Sequence, residues 1–261
     1  MHRFSILAAL AGGLFAQLPT PNQSGVSLGH VHLMVEDPDA QKKIWMEALG
    51  AEATHTGTLE LLRLPGIYII VGKARTAPTE GSDGSTVNHI GLAVKDLTAV
   101  KTKLDALHIE SASVNGNAKQ IMAQFPEKVT VELTEDPALP TAVAIHHIHL
   151  ATPDPEKQRA WYVKTFGARA GTRGNFLAAF IPGGEVDARK TQDAQAPTKG
   201  RSLDHIGFEV RNLESFCKQL SADGVKFEMP CRDVPAIGLK IAFLADPEGT
   251  RIELTEGLVG K

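Results

Sequence analysis

Histidine and glutamate are the residues of this chain whose spacing suggests chemistry. Four of its ten histidines open similar segments: His30-Val-His-Leu-Met-Val-Glu-Asp37, His89-Ile-Gly-Leu-Ala-Val-Lys-Asp96, His147-Ile-His-Leu-Ala-Thr-Pro-Asp154 and His205-Ile-Gly-Phe-Glu-Val-Arg-Asn212. The leading histidines His30, His89, His147 and His205 recur at an almost constant interval, which marks an internal repeat. A glutamate recurs at the far end of the second and fourth repeats, Glu132 after His89 and Glu253 after His205. A strand histidine bonded to a neighbouring carbonyl explains any one of these alone. The joint recurrence of imidazole and carboxylate points instead to a divalent metal. The two cysteines, Cys217 and Cys231, are too few for a disulfide framework or a structural zinc site, so such a metal must rest on histidine and carboxylate.

The elements that must position these residues are legible in each repeat. Every leading segment is a β-branched and apolar run, which reads as a strand, and it ends at Asp37, Asp96, Asp154 or Asn212 beside a proline or leucine that can open a helix. Residues 39–49, 97–107, 156–166 and 213–222 carry apolar side chains at helical intervals, with Gly50, Gly167 and Gly224 where C-caps belong. Apolar stretches of strand length follow, such as residues 239–244, while residues 144–151 open the third repeat. Each repeat is therefore β-α-β-β-β.

The odd repeats differ from the even ones. His30 to Gly50 and His147 to Gly167 are spans of equal length, and Leu64-Pro65-Gly66 matches Ile181-Pro182-Gly183. The even repeats end alike, Phe125-Pro-Glu-Lys-Val-Thr-Val-Glu-Leu-Thr134 paralleling Asp246-Pro-Glu-Gly-Thr-Arg-Ile-Glu-Leu-Thr255. The chain reads as a duplicated pair, with residues 26–135 and 143–257 as two domains and the proline-bearing stretch 136–142 as their linker.

Composition narrows the function classes. A chain of 261 residues that is 43% hydrophobic and 22% charged is ordinary globular material and excludes disorder as its main state. A net charge of −3 with no basic run gives no footprint for nucleic acid. Residues 1–25 read as an export signal and tether: His2 and Arg3 precede an almost wholly apolar run from Phe4 to Phe15, Ala16 is small enough for cleavage, and proline-rich residues follow. This predicts a secreted or periplasmic protein, cleaved near Gln17, with no membrane span.

The first-strand pattern H-x-x-L-x-V-x-D and the last-strand pattern D-P-x-G-x-x-I-E-L, in four modules at one period, resemble the vicinal oxygen chelate superfamily. It includes glyoxalase I, extradiol dioxygenases, methylmalonyl-CoA epimerase and bleomycin or fosfomycin resistance proteins. The resemblance covers nearly all of the chain after the signal. It implies an α+β fold in which four βαβββ modules form two paired-module domains, each a curved mixed sheet around one cavity. By position it carries the metal ligands onto His147, His205 and Glu253 in the second pair, and onto His30, His89 and Glu132 in the first. The strand period supports this at Arg251-Ile-Glu-Leu-Thr255, where Ile252 and Leu254 share one face and Glu253 takes the other.

In glyoxalase-like members a second carboxylate comes from the odd module. Tyr68 and Glu185 follow the leading histidines of their modules at the same interval and hold that place here, so only the second pair gains a fourth ligand, in Glu185. His32 and His149, two positions beyond the leading histidines, share their strand face and are expected as donors beside the metal or as substrate contacts. His146 is expected to point away. The resemblance implies a lyase or isomerase of glyoxalase type, acting on a small vicinally oxygenated substrate through an enediolate stabilised by a divalent Fe, Mn, Zn or Ni ion, with Glu253 or Glu185 as base. The alternatives are an extradiol-type dioxygenase with Fe(II) on His147, His205 and Glu253, and a small-molecule-binding protein of the bleomycin resistance kind. Tyr162 is expected to pack in the core.

Overall fold

The computed structural model describes residues 18–261. The export signal expected before residue 17 lies outside the described residues. The tether that should follow it is not loose: Leu18 is buried against Tyr68 and Leu258, and the Asn22 amide donates to the carbonyls of Phe166 and Gly167.

The first module comprises β1 (Val26–Val35), α1 (Pro38–Glu47), β2 (Glu52–Thr56), β3 (Leu59–Leu64) and β4 (Ile67–Lys73). The second comprises β5 (Val87–Val94), α2 (Leu97–Ala106), β6 (Glu110–Val114), β7 (Asn117–Phe125) and β8 (Val129–Glu135). The third comprises β9 (Val143–Thr152), α3 (Pro155–Phe166), β10 (Arg169–Arg173), β11 (Phe176–Ile181) and β12 (Gly184–Lys190). The fourth comprises β13 (Leu203–Val210), α4 (Leu213–Ala222), β14 (Phe227–Val234), β15 (Leu239–Ala245) and β16 (Arg251–Glu256). Each helix starts where the sequence places it. The side chains of Asp37, Asp96, Asp154 and Asn212 accept from the amides of Ala40, Ala99, Lys157 and Ser215, meeting an amide the first turn leaves unpaired. Gly167 closes α3 at φ +64°, a left-handed position that glycine takes without strain.

The fold is α+β, with two eight-stranded mixed sheets, as the module pattern predicts. The modules do not pair in chain order. One sheet runs β14-β15-β16-β13-β1-β4-β3-β2 and joins modules one and four; the other runs β10-β11-β12-β9-β5-β8-β7-β6 and joins modules three and two. They are called the first and second sheets below. The joint in each is an antiparallel pairing of leading strands, β1 with β13 through Val31 and Ile206, and β5 with β9 through Ile90 and Ile148. This corrects the expected pairing of module one with two and three with four.

Connection length explains the correction. β8 lies parallel to β5, and β5 antiparallel to β9, so the chain leaving β8 must only reverse and step over the end of one strand, about 10 Å. Residues 136–142 suffice for that step and keep modules two and three in one sheet. The longer links, residues 74–86 and 191–202, carry the chain between sheets. They run side by side, the amide of Thr86 donating to Ala196, that of Ala196 to Gly84 and that of Ser202 to Glu80. The Arg201 guanidinium also donates to the Gly81 and Asp83 carbonyls. A proline-bearing stretch announces a turn in the sequence; it does not say which strand the turn reaches.

One apolar core serves both sheets. Trp45 of α1 meets Phe125 of the other sheet with ring centroids 5.1 Å apart, and Phe166 of α3 stacks on Phe208 of β13 at 4.5 Å. Tyr162 is buried there, its hydroxyl donating to Asp246, so the expectation for it holds. Ile252 and Leu254 point into this core, which turns Glu253 to the opposite face of the sheet. No helix among the described residues is long and apolar enough to cross a membrane.

Two candidate metal centres

Pairing across the β1–β13 and β5–β9 joints decides which histidines meet. His30 lies opposite Gly207, and His147 opposite Gly91. A Cβ on Gly207 would fall 2.0 Å from the His30 ring, and one on Gly91 would fall 1.9 Å from the His147 ring. Each odd-module imidazole therefore occupies space left by the glycine of an even-module H-x-G. The odd modules carry H-x-H at the same place, so the difference between the two strand types is a packing requirement.

In the first sheet, Nε2 of His30 and Nε2 of His205 approach one oxygen, Oε2 of Glu253, at 2.9 and 3.0 Å. The His32 ring lies 4.5 Å from that of His205. One donor atom from each of these four residues falls within 4.8 Å of all the others. His205 is oriented from behind: its Nδ1 donates to Asp204 at 2.6 Å, and Asp204 is paired with Arg251 at 2.6 Å. A carboxylate behind a histidine fixes which nitrogen faces the site. Burial opposes charge on His205, but the bonds to Asp204 and Glu253 outweigh it and raise its pKa. Burial and the neighbouring His205 push His32 down to about 3, and burial also lowers His30. Both stay neutral imidazoles with a lone pair to give. Glu253 is held well below the carboxylate range: burial opposes this, and its bonds to His205 and His30 prevail.

The second sheet repeats the theme with different neighbours. His89 Nε2 lies 3.2 Å from His147 Nε2 and 3.3 Å from Glu132, and His147 Nε2 lies 3.9 Å from Glu132. The His149 ring stacks on His89 at 4.5 Å, and both its nitrogens are buried without a partner. Asn88 takes the place of Asp204, its amide oxygen accepting from His89 Nδ1 at 2.9 Å. Glu185 lies in β12 in register with His147, with Asp187 in register with His149. Arg173 binds both, 3.0 Å from Glu185 and closer to Asp187. Burial and Asp187 raise Glu185 to about 7 despite Arg173, while Glu132, its burial offset mainly by His89, is lowered to about 2.

The structure thus regroups the expected ligands. His205 and Glu253 meet His30 and not His147. His147 meets His89, His149 and Glu132, while Glu185 is held by Arg173 outside that histidine cluster. Tyr68, in register with His30, directs its hydroxyl to the carbonyl of Lys261 at 2.6 Å and gives the first sheet no fourth ligand; His32 supplies that donor instead. His146 does not turn wholly away, since its Nδ1 lies 2.9 Å from Nδ1 of His147. Asp204, Asn88 and Arg173 escaped the sequence reading. The first two were visible as the residue preceding each even-module histidine, had the repeat been extended one position back.

Nitrogen and carboxylate donors of this kind suit a divalent transition metal. The first-sheet residues fit one: Nδ1 of His30 and of His32 are buried without partners. A Cβ on Gly72 would stand 3.1 Å from Nε2 of His32, so a glycine makes the room that His32 uses.

The protein is thus a four-module βαβββ chain with two buried histidine clusters, each with a glutamate beside it. Residues 144–254, which make up modules three and four and so half of each sheet, match the model of the Glyoxalase/Bleomycin resistance protein/Dioxygenase superfamily. Glyoxalase I from Zea mays is similar over 88% of this chain and 92% of its own, with a TM-score of 0.67 at 15% identity. A putative dioxygenase from Bacillus subtilis is similar over 92% and 86%, also with a TM-score of 0.67 at 15% identity. The uncharacterized protein YwkD of Bacillus subtilis is 28% identical over 124 residues, 43% of this chain and 96% of that protein.

Proposed function

We propose that this chain is a divalent-metal-dependent lyase or isomerase of glyoxalase type, with its working site in the first sheet. The observation that carries the reading is His32, which joins His30, His205 and Glu253 as a fourth donor. Four protein donors leave a six-coordinate ion two further positions, the number a pair of vicinal oxygens needs, and as a Lewis acid the ion would stabilise negative charge developing on them.

The chain's own residues do the rest. His30, His32 and His205 would hold the ion as neutral imidazoles, and Asp204 keeps Nε2 of His205 aimed at the site. Glu253 moves the proton: both imidazoles crowd Oε2, so Oε1 is the oxygen free to take a proton from the substrate carbon and return it to the neighbouring one. Tyr68, Ile70, Ile241 and Phe243, clustered with Leu18 and Leu258, exclude water from the reacting carbon. Glu185 is placed in the other sheet and takes no part.

A second reading rests on the three ligands His30, His205 and Glu253 without His32. Two histidines and one carboxylate leave room for a catecholate and oxygen, as in an Fe(II) extradiol-type dioxygenase. The two readings separate on His32→Ala. With α-hydroxycarbonyl or hemithioacetal substrates in deuterated water, the lyase or isomerase incorporates solvent deuterium, and His32→Ala loses both metal and exchange. A dioxygenase consumes oxygen with catechols and keeps its metal in His32→Ala. Neither activity with metal bound would leave a binding protein of the bleomycin resistance kind. Export is proposed on the apolar run Phe4 to Phe15; the mature mass from the native host tests it, loss of the residues before Gln17 supporting it and an intact Met1 overturning it.

A further inference from the structure

We propose that Cys217 and Cys231 are a disulfide site, closed by exchange with a small-molecule disulfide, whose bond clamps the edge strand β14 to α4. The proposal is independent of the metal reading, since α4 packs on the far side of its sheet from the histidine cluster.

Both cysteines are free thiols. Cys217 lies on the buried face of α4 with Leu213, Phe216 and Leu220, and Cys231 packs from β14 against the same apolar cluster, beside Phe227. The two side chains pack in one cluster, and the Cys231 thiol is a hydrogen-bonding neighbour of the Cys217 thiol. β14 is an edge strand. It ends the first sheet with β15 as its single strand partner, its register shifts between Phe227 and Met229 and again between Met229 and Arg232, and Pro230 donates no amide. Cys231 sits inside that irregular stretch, where the backbone can adjust to the narrow geometry of a disulfide.

Accessibility sets the order of events. Burial first, and Cys231 second, push Cys217 up to about 12, so it cannot start the reaction; Cys231 is partly exposed. The Cys231 thiolate attacks one sulfur of the small disulfide, forming a mixed disulfide and releasing one thiol. Cys217 then attacks the Cys231 sulfur, and the second thiol leaves. Two protein thiols are oxidised to one disulfide, the small disulfide is reduced to two thiols, and these carry off both protons.

The test uses the full chain, reduced and then treated with glutathione disulfide under native conditions. The expected product has lost the mass of two hydrogen atoms, carries no glutathione, and yields a crosslinked peptide containing Cys217 and Cys231 on non-reducing digestion. It melts several degrees higher than the reduced form, with unchanged metal content. Cys217→Ser should keep one glutathione on Cys231, while Cys231→Ser stays unreacted. A lasting glutathione adduct on the wild-type chain, or no reaction, overturns the site; equal melting temperatures overturn the clamp.

Discussion

The two histidine clusters occupy equivalent places of one repeat and differ in what surrounds the histidines. In the first sheet, Tyr68 and Ile70 stand beside His30 and His32, and the lining is apolar, with Leu61, Ile241 and Phe243. In the second, the same registers hold Glu185 and Asp187 beside His147 and His149, and Arg173 binds both carboxylates. Two register positions filled by Tyr68 and Ile70 in the first sheet hold buried carboxylates in the second. In the first sheet Glu253 sits where imidazoles converge, Asp204 is paired with Arg251, and Glu209 is held by the Thr255 hydroxyl and backbone amides. The second must offset two further buried acids with a guanidinium, which then competes with any metal for Glu185. The repeat keeps histidines and a glutamate in both sheets, and their neighbours differ.

The largest effect that would break this comparison is on metal content. Glu253→Gln removes charge while keeping shape, and the first-sheet site should lose metal affinity by orders of magnitude, with Glu132→Gln affecting only the second. Metal titrations should also show which histidines work together. His30→Ala and His205→Ala empty the same site, so combining them adds nothing further, whereas His147→Ala and His205→Ala act independently. Additive loss from His30 and His205 would show that they do not share an ion.

Stability should separate the sheets next. Replacing Arg173 with methionine strands Glu185 and Asp187 without their cation, and removing one partner of a buried ion pair costs roughly 3 kcal/mol. In the first sheet, Tyr68→Phe removes only the hydrogen bond to the Lys261 carbonyl, a loss of about 1 kcal/mol. Denaturant titration of the two variants checks the ranking. Equal losses would mean that Arg173 is not needed to hold the charged cluster together.

A smaller effect should follow from the groups behind the histidines. Asp204 gives His205 a carboxylate where Asn88 gives His89 an amide. Asp204→Asn makes the first sheet resemble the second and should weaken its metal binding by about tenfold, the low end for such supporting groups. Calorimetry with the metal measures this directly, and an unchanged affinity would assign Asp204 to the ion pair with Arg251 alone.

Much of this was written in the sequence, at the level of the module. Strand, helix, cap and repeat follow from short-range patterns, and the four N-caps Asp37, Asp96, Asp154 and Asn212 fall where the residue types place them. The histidines and glutamates that cluster were legible for the same reason. Their grouping was not, because a repeat shows which residues are equivalent and not which copies touch. The information was present in the contrast between H-x-H and H-x-G. The glycines at 91 and 207 are the sockets for His147 and His30, and that reading requires knowing that the leading strands pair antiparallel. Arg173 was invisible for a different reason: its role depends on two acids being buried beside it.

The smallest expected difference concerns pH and again sets the sheets apart. Glu209 lies in β13 of the first sheet, where the second has Ala93 at the equivalent place. Its carboxylate accepts from the Thr255 hydroxyl and from the amides of Gly257 and Leu258. Burial raises its pKa above the ordinary 4.5, and those bonds only partly resist. A folded pKa above the unfolded one means that the protonated form is favoured on folding. Its contribution is therefore complete below pH 4.5 and is lost as pH rises through the raised value. Glu209→Gln keeps an oxygen for the two amides, lets the Thr255 hydroxyl turn from donor to acceptor, and has no charge to bury. The melting temperature of the variant should gain on the wild type between pH 4 and pH 7, whereas Ala93→Ser in the second sheet should shift it equally at both. A constant difference between wild type and Glu209→Gln across that range would show that Glu209 is no more costly to ionise in the fold than in the unfolded chain.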